Sequence, residues 1–555
     1  MHTDLRTTFF KLTPEREAAS KPTAPSPTGR GGSHSEKKTF GLAGNSRHQS
    51  DVPPREATRS LQVRYFAASA SPYYTLVFTQ ALYRGDESAQ NPCYRKRTMA
   101  MNALANAAEK AMDAMPTGIK THLSNPSQQP EFADPSGEKM KALVWEGPMK
   151  VKVEEANKPK VVDPKDIVIE TTGTTVCGSD MHLLAGAIIE LRKHDILGHE
   201  ACGTVVEVGP AVKNLKVGQR VVAGFNVACG ECFMCQKKLS SACVMTNSSS
   251  TMQTMYGGRT CGMLGYSHFT GGFAGGQAEY VRIPYGEANT IKIPDGVPDE
   301  DALFISDVLV TSFHQVEDTG VQEGNIVGIW GVGAIGILAG WWSAMRGASH
   351  LIAIDNAQWR LDHFEKVIKR DYPNVRVDTI NFDEVKNIPH AIHELTKGGT
   401  NGLPETRPAG LDVALECAAG EYAKGWLHKI EMATGLETDT SELLNEMIES
   451  TINFGRIGIT GVYAAYTNQQ RGIRMIGNGQ APTHKYMQRI MDDYIVTGKM
   501  KPREIFVSHR FVIDDIDKVY YSMRERDPKD KIIKAFIATD ASAPPAPGGP
   551  PLTRL

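Results

Sequence analysis

Four cysteines fall within fifteen residues, in the run Cys229-Gly230-Glu231-Cys232-Phe233-Met234-Cys235 and then Cys243. The spacing is C-x2-C-x2-C-x7-C. Two-residue gaps let successive thiolates turn toward one centre, and four of them complete a tetrahedral shell. A shell with four protein ligands leaves no open position, so the spacing predicts a structural zinc site. Cysteine-rich loops can instead be redox active. A zinc-ribbon nucleic-acid module would need two separated C-x2-C pairs and a basic surface, and neither is present. The chain holds nine cysteines in 555 residues and shows no secretory apolar stretch near its start, so the clustering favours metal over disulfides.

A second group is Gly198-His199-Glu200 followed by Gly203, Gly209 and Val212, with Cys177-Gly178-Ser179-Asp180-Met181-His182 upstream. A lone histidine is more often structural than a ligand. His199 has an adjacent carboxylate, a cysteine about one hairpin upstream and the four-cysteine loop downstream. A catalytic zinc takes three protein ligands and keeps one position for a substrate oxygen. Cys177 and His199 are two candidates for such a set.

The third group is Gly331-Val332-Gly333-Ala334-Ile335-Gly336. G-x-G-x-x-G alone is a weak signal, but here it follows a β-rich run and opens a helical pattern, which is the context it requires. The glycines permit a tight turn and the approach of a pyrophosphate to a helix N-terminus. The next β-rich run, Leu351-Ile352-Ala353-Ile354, ends in Asp355, which can accept from the adenosine ribose hydroxyls and would repel a 2′-phosphate. Asn356 beside it is not basic, so NAD is expected over NADP. Arg360, just beyond, completes the expected cofactor-binding set.

These groups need elements to hold them. The length predicts two or three domains. Residues 1–139 are rich in Pro, Ser, Gly and Thr, as in Lys21-Pro22-Thr23-Ala24-Pro25-Ser26-Pro27, and read as a mostly disordered extension. Arg95-Lys96-Arg97 reads as a solvated patch. The first sixty residues carry more Arg and Lys than acids, as a mitochondrial presequence would, but Asp4, Glu15 and Glu17 come early; a cytoplasmic location is expected. Short strands at Lys141–Trp145 and Asp166–Glu170 open an all-β region over 140–305. Strands at Ile326–Trp330, His350–Asp355, Leu411–Glu416 and Arg456–Thr460 alternate with helices over 306–482 and predict an α/β domain with a doubly wound parallel sheet. Residues 483–540 return to mixed helix and strand, and the proline-rich 541–555 reads as a flexible tail. The uncharged run from Asn325 to Met345 is long enough to cross a bilayer, but its strand–glycine turn–helix pattern marks it as buried, and no membrane partner is expected. A net charge of -2 gives no reason to expect nucleic acid.

Taken together, the chain resembles the zinc-containing medium-chain alcohol dehydrogenases over roughly Met140 to Thr539, the string from Gly198 to Val212 matching their zinc signature without departure. Within them it is most similar to the glutathione-independent formaldehyde dehydrogenases and dismutases, on Lys141–Trp145, Gly275-Gly276-Gln277-Ala278-Glu279-Tyr280-Val281 and Gly479-Gln480-Ala481-Pro482-Thr483-His484-Lys485-Tyr486. The resemblance implies a GroES-like catalytic domain, two zinc ions per chain, NAD and a dimer or tetramer. It implies Asp307 as third ligand of the catalytic zinc, although Asp307 or Ser306 could equally be a helix cap. Glu200 becomes an outer or alternate ligand, Asp180 a group orienting His199, and Ser179 and His182 a proton relay, although His182 could be a surface residue. The implied substrate is a small alcohol or aldehyde hydrate. A polyol, threonine or another secondary alcohol is the rival substrate, and a non-catalytic NAD-binding protein the rival class. Gly257 to Gly272 and Thr434 to Ser450 look like insertions. In the resembling group an extra loop covers the adenine half of NAD and slows its release, which implies retained cofactor and some dismutation.

Overall fold

A computed structural model of the chain describes residues 126–418, 441–461, 472–525 and 529–555. The expectation for residues 1–125 lies outside them. Residues 126–138, grouped above with the extension, are folded onto the protein. Phe132 is buried with the Arg282 guanidinium 5.5 Å from its ring centre. The Asn157 amide donates to Ser127 Oγ at 3.1 Å, and Asn157 Nδ2 donates to the Pro126 carbonyl at 3.0 Å. One aromatic anchor and a few hydrogen bonds hold this stretch, and neither leaves a periodic pattern in sequence.

The hairpin of β1 (Lys139–Gly147) and β2 (Lys150–Asn157) precedes the catalytic half. There β3 (Ile167–Thr174), β4 (Ala201–Val208), β5 (Arg220–Ala223), β8 (Tyr280–Ile283) and β9 (Thr290–Lys292) pair antiparallel, and β6 (Asn226–Val227) pairs with β7 (Gly262–Met263). Ile167, Ile169, Val205, Val221, Val281 and Ile283 fill the core of this half. Helices of seven residues or more are α1 (Gly178–Ala185), α2 (Ser250–Tyr256) and α3 (Val308–Thr319), the last leading into the second half.

The second half is a six-stranded parallel sheet of β10 (Ile326–Trp330), β11 (His350–Asp355), β12 (Arg376–Asn381), β13 (Leu411–Glu416), β14 (Thr451–Ile459) and β15 (Arg474–Gly477), in the order β12-β11-β10-β13-β14-β15. Interleaved with these strands are α4 (Ala334–Met345), α5 (Gln358–Asp371), α6 (Ile388–Thr396) and α7 (Ser441–Ser450). All of β10 is buried, as an unbroken apolar run in a parallel sheet requires. Three strands match the bounds expected from sequence. The fourth, β14, starts five residues before Arg456, because the pairing slips between Leu411↔Thr451 and Val413↔Arg456. The extra residues form a bulge carrying Phe454 at φ +62°, which a period-two pattern does not reveal. The run from Asn325 to Met345 is β10, the glycine turn and α4. Among the described residues no helix is long and apolar enough to cross a membrane. Because β10 lies between β11 and β13, chain connections leave its C-terminal end in opposite directions, which opens a crevice there.

After α8 (Thr483–Ile490) the chain returns: β16 (Val507–Val512) and, after α9 (Ile516–Glu525), β17 (Lys534–Ala538) complete the catalytic sheet in the order β16-β17-β3-β4-β5-β9. The tail is bound rather than flexible. Thr553 N donates to the Arg510 carbonyl at 2.7 Å, Arg510 Nη2 donates to the Ala543 carbonyl at 2.5 Å, and Ala546 N donates to Glu300 Oε1 at 3.1 Å. Lys518 Nζ reaches the Leu555 carbonyl at 2.6 Å. Proline lacks an amide donor, and within the tail Gly549 N donates to the Ala546 carbonyl at 3.0 Å, so other carbonyls are left to accept from a neighbouring surface. Composition shows that the tail cannot form a core, but not that Arg510 and Lys518 await it. Deleting residues 541–555 removes several hydrogen bonds of ~1 kcal/mol each and uncovers Arg510. We expect the melting temperature to fall by about 5 °C, read by calorimetry; an unchanged value would show that these contacts contribute nothing.

Candidate active site

The site forms where β4, α1, α3 and β17 meet. Cys177 stands at the N-cap of α1, fixed by a hydrogen bond from its own backbone N–H to Asp180 Oδ2 at 2.9 Å. Asp180 is fully buried; its Oδ2 also accepts from Gln277 Nε2 at 3.2 Å, and Gln277 Oε1 accepts from the Tyr520 hydroxyl at 2.8 Å. The other oxygen, Oδ1, lies 3.3 Å from His199 Nδ1. His199 follows Gly198, whose φ of +100° and whose contact with Gln277 (an added Cβ would stand 2.4 Å from Cγ) both demand glycine.

Asp307 lies between a short turn, Leu303–Ser306, and α3. It makes no side-chain cap to the helix. Its Oδ1 instead accepts from Thr311 Oγ1 at 2.5 Å, and its Oδ2 faces His199 Nε2 at 3.3 Å. Ser306 does not cap either: its hydroxyl reaches the Leu303 carbonyl at 2.5 Å and Glu200 Oε2 at 3.3 Å. Glu200 Oε1 pairs with Lys534 Nζ at 2.6 Å, both side chains buried. Cys177, His199, Glu200 and Asp307 each offer one donor atom, and these atoms lie within 4.8 Å of one another. Both ring nitrogens of His199 are buried without a well-aligned hydrogen-bond partner. Burial pushes the imidazole down, but Tyr266, Asp180 and Asp307 outweigh it and raise it well above its ordinary value. Burial pushes Asp307 up, and His199 and Thr311 more than offset it, holding the carboxyl below its usual value. A thiol, an imidazole with unsatisfied nitrogens and an ionised carboxylate are the donor set that suits a zinc ion.

In the cysteine loop, Cys232 Sγ lies 3.5 Å from Cys235 Sγ and 3.8 Å from Cys243 Sγ, and Cys229 Sγ lies 4.0 Å from Cys235 Sγ. Sulfurs ~2.3 Å from a common zinc stand about 3.8 Å apart, so these spacings suit a closed shell. The buried Cys261 packs against the four, and the eight cysteines of the described residues are free thiols. A third ligand-like group, Glu146, Glu154 and His194, is already served by Lys152 Nζ, 3.1 Å from Glu146 and 2.9 Å from Glu154, which reads as an ion-pair cluster.

Three residues at the site were not singled out from sequence. Lys534 interrupts the apolar run Ile532 to Ile537, and a lysine there was the available signal. Thr311 stands one helical turn after Asp307, a spacing too common to signal anything. Tyr266 lies in the Gly257–Gly272 segment, expected above to be an insertion of the kind that covers NAD. That segment builds the wall of the site: β7 pairs with β6, an added Cβ on Gly265 would stand 2.3 Å from the Gly198 carbonyl oxygen, and the Tyr266 ring meets the His199 ring edge-on at 5.2 Å. Ser179 and His182 lie three residues apart on α1 and are both partly exposed. Of Thr434–Ser450, residues 441–450 form α7, whose Leu443, Leu444, Met447 and Ile448 are core; residues 434–440 lie outside the described residues.

At the C-terminal end of β10, Gly331 has φ +86° and Gly336 packs so closely that an added Cβ would stand 1.9 Å from the Gly331 carbonyl oxygen, while Gly333 faces open space. Asp355 accepts from Val332 N at 2.8 Å and Ala357 N at 2.9 Å, bracing the loop. Ala334 and Ile335 open α4, and Arg360 lies in the first turn of α5, 5.2 Å over the Trp359 ring. The open turn at a helix N-terminus fits a dinucleotide pyrophosphate.

A β-rich domain with a closed and an open zinc-type ligand set, joined to a doubly wound nucleotide-binding sheet, defines the class of zinc-containing medium-chain dehydrogenases. The alcohol dehydrogenase GroES-like domain family matches residues 163–295. A zinc-type alcohol dehydrogenase-like protein of Schizosaccharomyces pombe is 37% identical over 421 residues, spanning 75% of this chain and 94% of that protein. A glutathione-independent formaldehyde dehydrogenase of Pseudomonas aeruginosa is 29% identical, spanning 71% of this chain and 97% of that one. The alcohol dehydrogenase of Thermus sp. ATN1 superposes with a TM-score of 0.57 at 25% identity, covering 72% of this chain and all of that one. The chain belongs to the zinc-type alcohol dehydrogenase family.

The closeness of Gly336 to Gly331 sets a local test. Gly336→Ala forces α4 away from the turn, and we expect a loss of about 1–3 kcal/mol in denaturant unfolding together with weakened dinucleotide binding by calorimetry. Unaltered values for both would show that the turn has slack.

Proposed function

We propose that the protein oxidises a small alcohol, or the hydrate of a small aldehyde such as formaldehyde, and passes the hydride to NAD. The observation that carries this reading is the convergence of Cys177, His199 and Asp307 on one point, with Glu200 turned to Lys534 and Ser306. Three ligands and one open position define a catalytic rather than a structural site. When bound, the metal supplies a Lewis acid toward a substrate oxygen and the nicotinamide a hydride acceptor. Cys229, Cys232, Cys235 and Cys243 hold a second, structural zinc.

The chain's own residues do the rest. Asp180 fixes the His199 ring through Nδ1, so that Nε2 faces the open point. Ser179, partly exposed on the first turn of α1, takes the substrate hydroxyl proton and passes it toward His182 on the same helix face. Asp355 keeps lone pairs for the ribose hydroxyls after accepting two amides, and its charge disfavours a 2′-phosphate. Arg360, nearby in α5, completes the cofactor-binding set. Asp307 and the relative named formaldehyde dehydrogenase support a formaldehyde-like substrate, whose hydrated gem-diol presents the hydroxyl. Small-molecule turnover by a homo-oligomer is the expected setting.

The test is a panel of alcohols and aldehydes with NAD reduction as readout, alongside zinc analysis. We expect two zinc ions per chain. Cys177→Ser should remove one of them and at least ~100-fold of the activity while the protein stays folded. Cys232→Ser should remove the other and lower the melting temperature. Zinc-replete protein that reduces no NAD with any member of the panel would overturn the proposal.

A further inference from the structure

The Tyr266 side chain meets the candidate zinc ligand His199 and stands near the candidate proton acceptor Ser179. Its ring stands edge-on to His199 at 5.2 Å and 71°. Its hydroxyl lies near Ser179, Cys177 and Asp180, close enough for each to act on it electrostatically. Phe225 closes the other flank of His199, edge-on at 6.5 Å.

Burial shows which way this group faces. His199, Glu200 and Asp180 are buried, whereas Cys177, Ser179, Tyr266 and Asp307 are partly exposed, so Tyr266 stands on the accessible side of the site together with Ser179. A ring that touches His199 from this side is placed to line the path of a substrate toward Ser179.

The backbone on either side of the ring is also fixed. On one side Gly265, at φ +58°, lies against the Gly198 backbone, where any side chain would collide. On the other, Ser267 is buried and His268 Nε2 meets Asp195 Oδ1 at 3.2 Å. The backbone that carries the ring therefore cannot shift without moving the His199 turn.

We infer that Tyr266 is a specificity-determining residue: its ring forms the wall that limits the substrate to a short carbon chain, and its hydroxyl holds the Ser179 hydroxyl in place. This rests on reading Cys177, His199 and Asp307 as the open zinc site and Ser179 as the proton acceptor. The two halves of the inference separate by substitution. Tyr266→Ala removes the wall. Tyr266→Phe keeps the wall and removes the hydroxyl.

The experiment measures kcat/KM for ethanol and benzyl alcohol in the zinc-loaded enzyme, with binding of each alcohol followed by saturation-transfer NMR without NAD. Tyr266→Ala should raise the benzyl-to-ethanol ratio at least tenfold and bring benzyl alcohol into binding, with zinc content unchanged. Tyr266→Phe should leave that ratio within about twofold of wild type but lower kcat for both alcohols and shift the pH profile of kcat. If Tyr266→Ala fails to fold, Tyr266→Leu should move the ratio the same way and Tyr266→Trp the opposite way. An active wild type whose ratio does not move in the folded wall variants overturns this inference and leaves the dehydrogenase reading standing. A wild type inert toward every alcohol and aldehyde overturns that reading, and this inference with it.

Discussion

His199, Glu200, Asp307 and Lys534 place four ionisable groups around one point inside the protein, beside the Cys177 thiol. Burying such groups is costly unless each finds a counter-charge or a metal. Lys534 answers Glu200 at 2.6 Å. Cys177, His199 and Asp307 keep donor atoms close to a common point, an arrangement that suits a divalent cation. The constraint reaches through the fold, since the partners come from β4, the turn before α3 and the penultimate stretch of the chain. β17 must return across the catalytic sheet to deliver Lys534, which is why this half is discontinuous in sequence and why the C-terminal segment folds back against it.

Holding that cluster rigid falls to uncharged neighbours. The chain Tyr520–Gln277–Asp180 fixes Asp180, and Asp180 in turn holds the backbone of Cys177 and stands 3.3 Å from the ring of His199. Gln277 also packs on Gly198, where no side chain fits. One glutamine thus spaces two elements and satisfies a buried carboxylate. Thr311 does similar work for Asp307 from one turn along α3. Positioning of this kind lets a site keep donor atoms free without leaving them loose.

The nucleotide half rests on a different constraint. Gly331 and Gly336 bring β10, the turn and α4 closer than any side chain permits, and Asp355 ties the turn to β11 through Val332. The turn opens where the strand order reverses, on an uncharged strand and helix that are buried throughout most of their length. The same run that is long enough to suggest a membrane span is apolar because it sits at the centre of a parallel sheet with helices on its faces.

Much of this was legible in the sequence because short-range spacing encodes it. C-x2-C-x2-C, Gly-His-Glu and G-x-G-x-x-G are local geometries, and three of the parallel strands are apolar runs with clear ends. Tertiary structure alone decided the rest. Whether Asp307 caps a helix or faces His199 depends on where α3 packs. Lys534 meets Glu200 across 334 residues, and Tyr266 reaches His199 because a glycine lets two backbones touch. The tail binds because its carbonyls meet Arg510 and Lys518, which lie far from it in composition and close in space. Sequence spacing records what neighbouring residues can do together; contacts between distant segments depend on how the elements pack, and no local pattern records that.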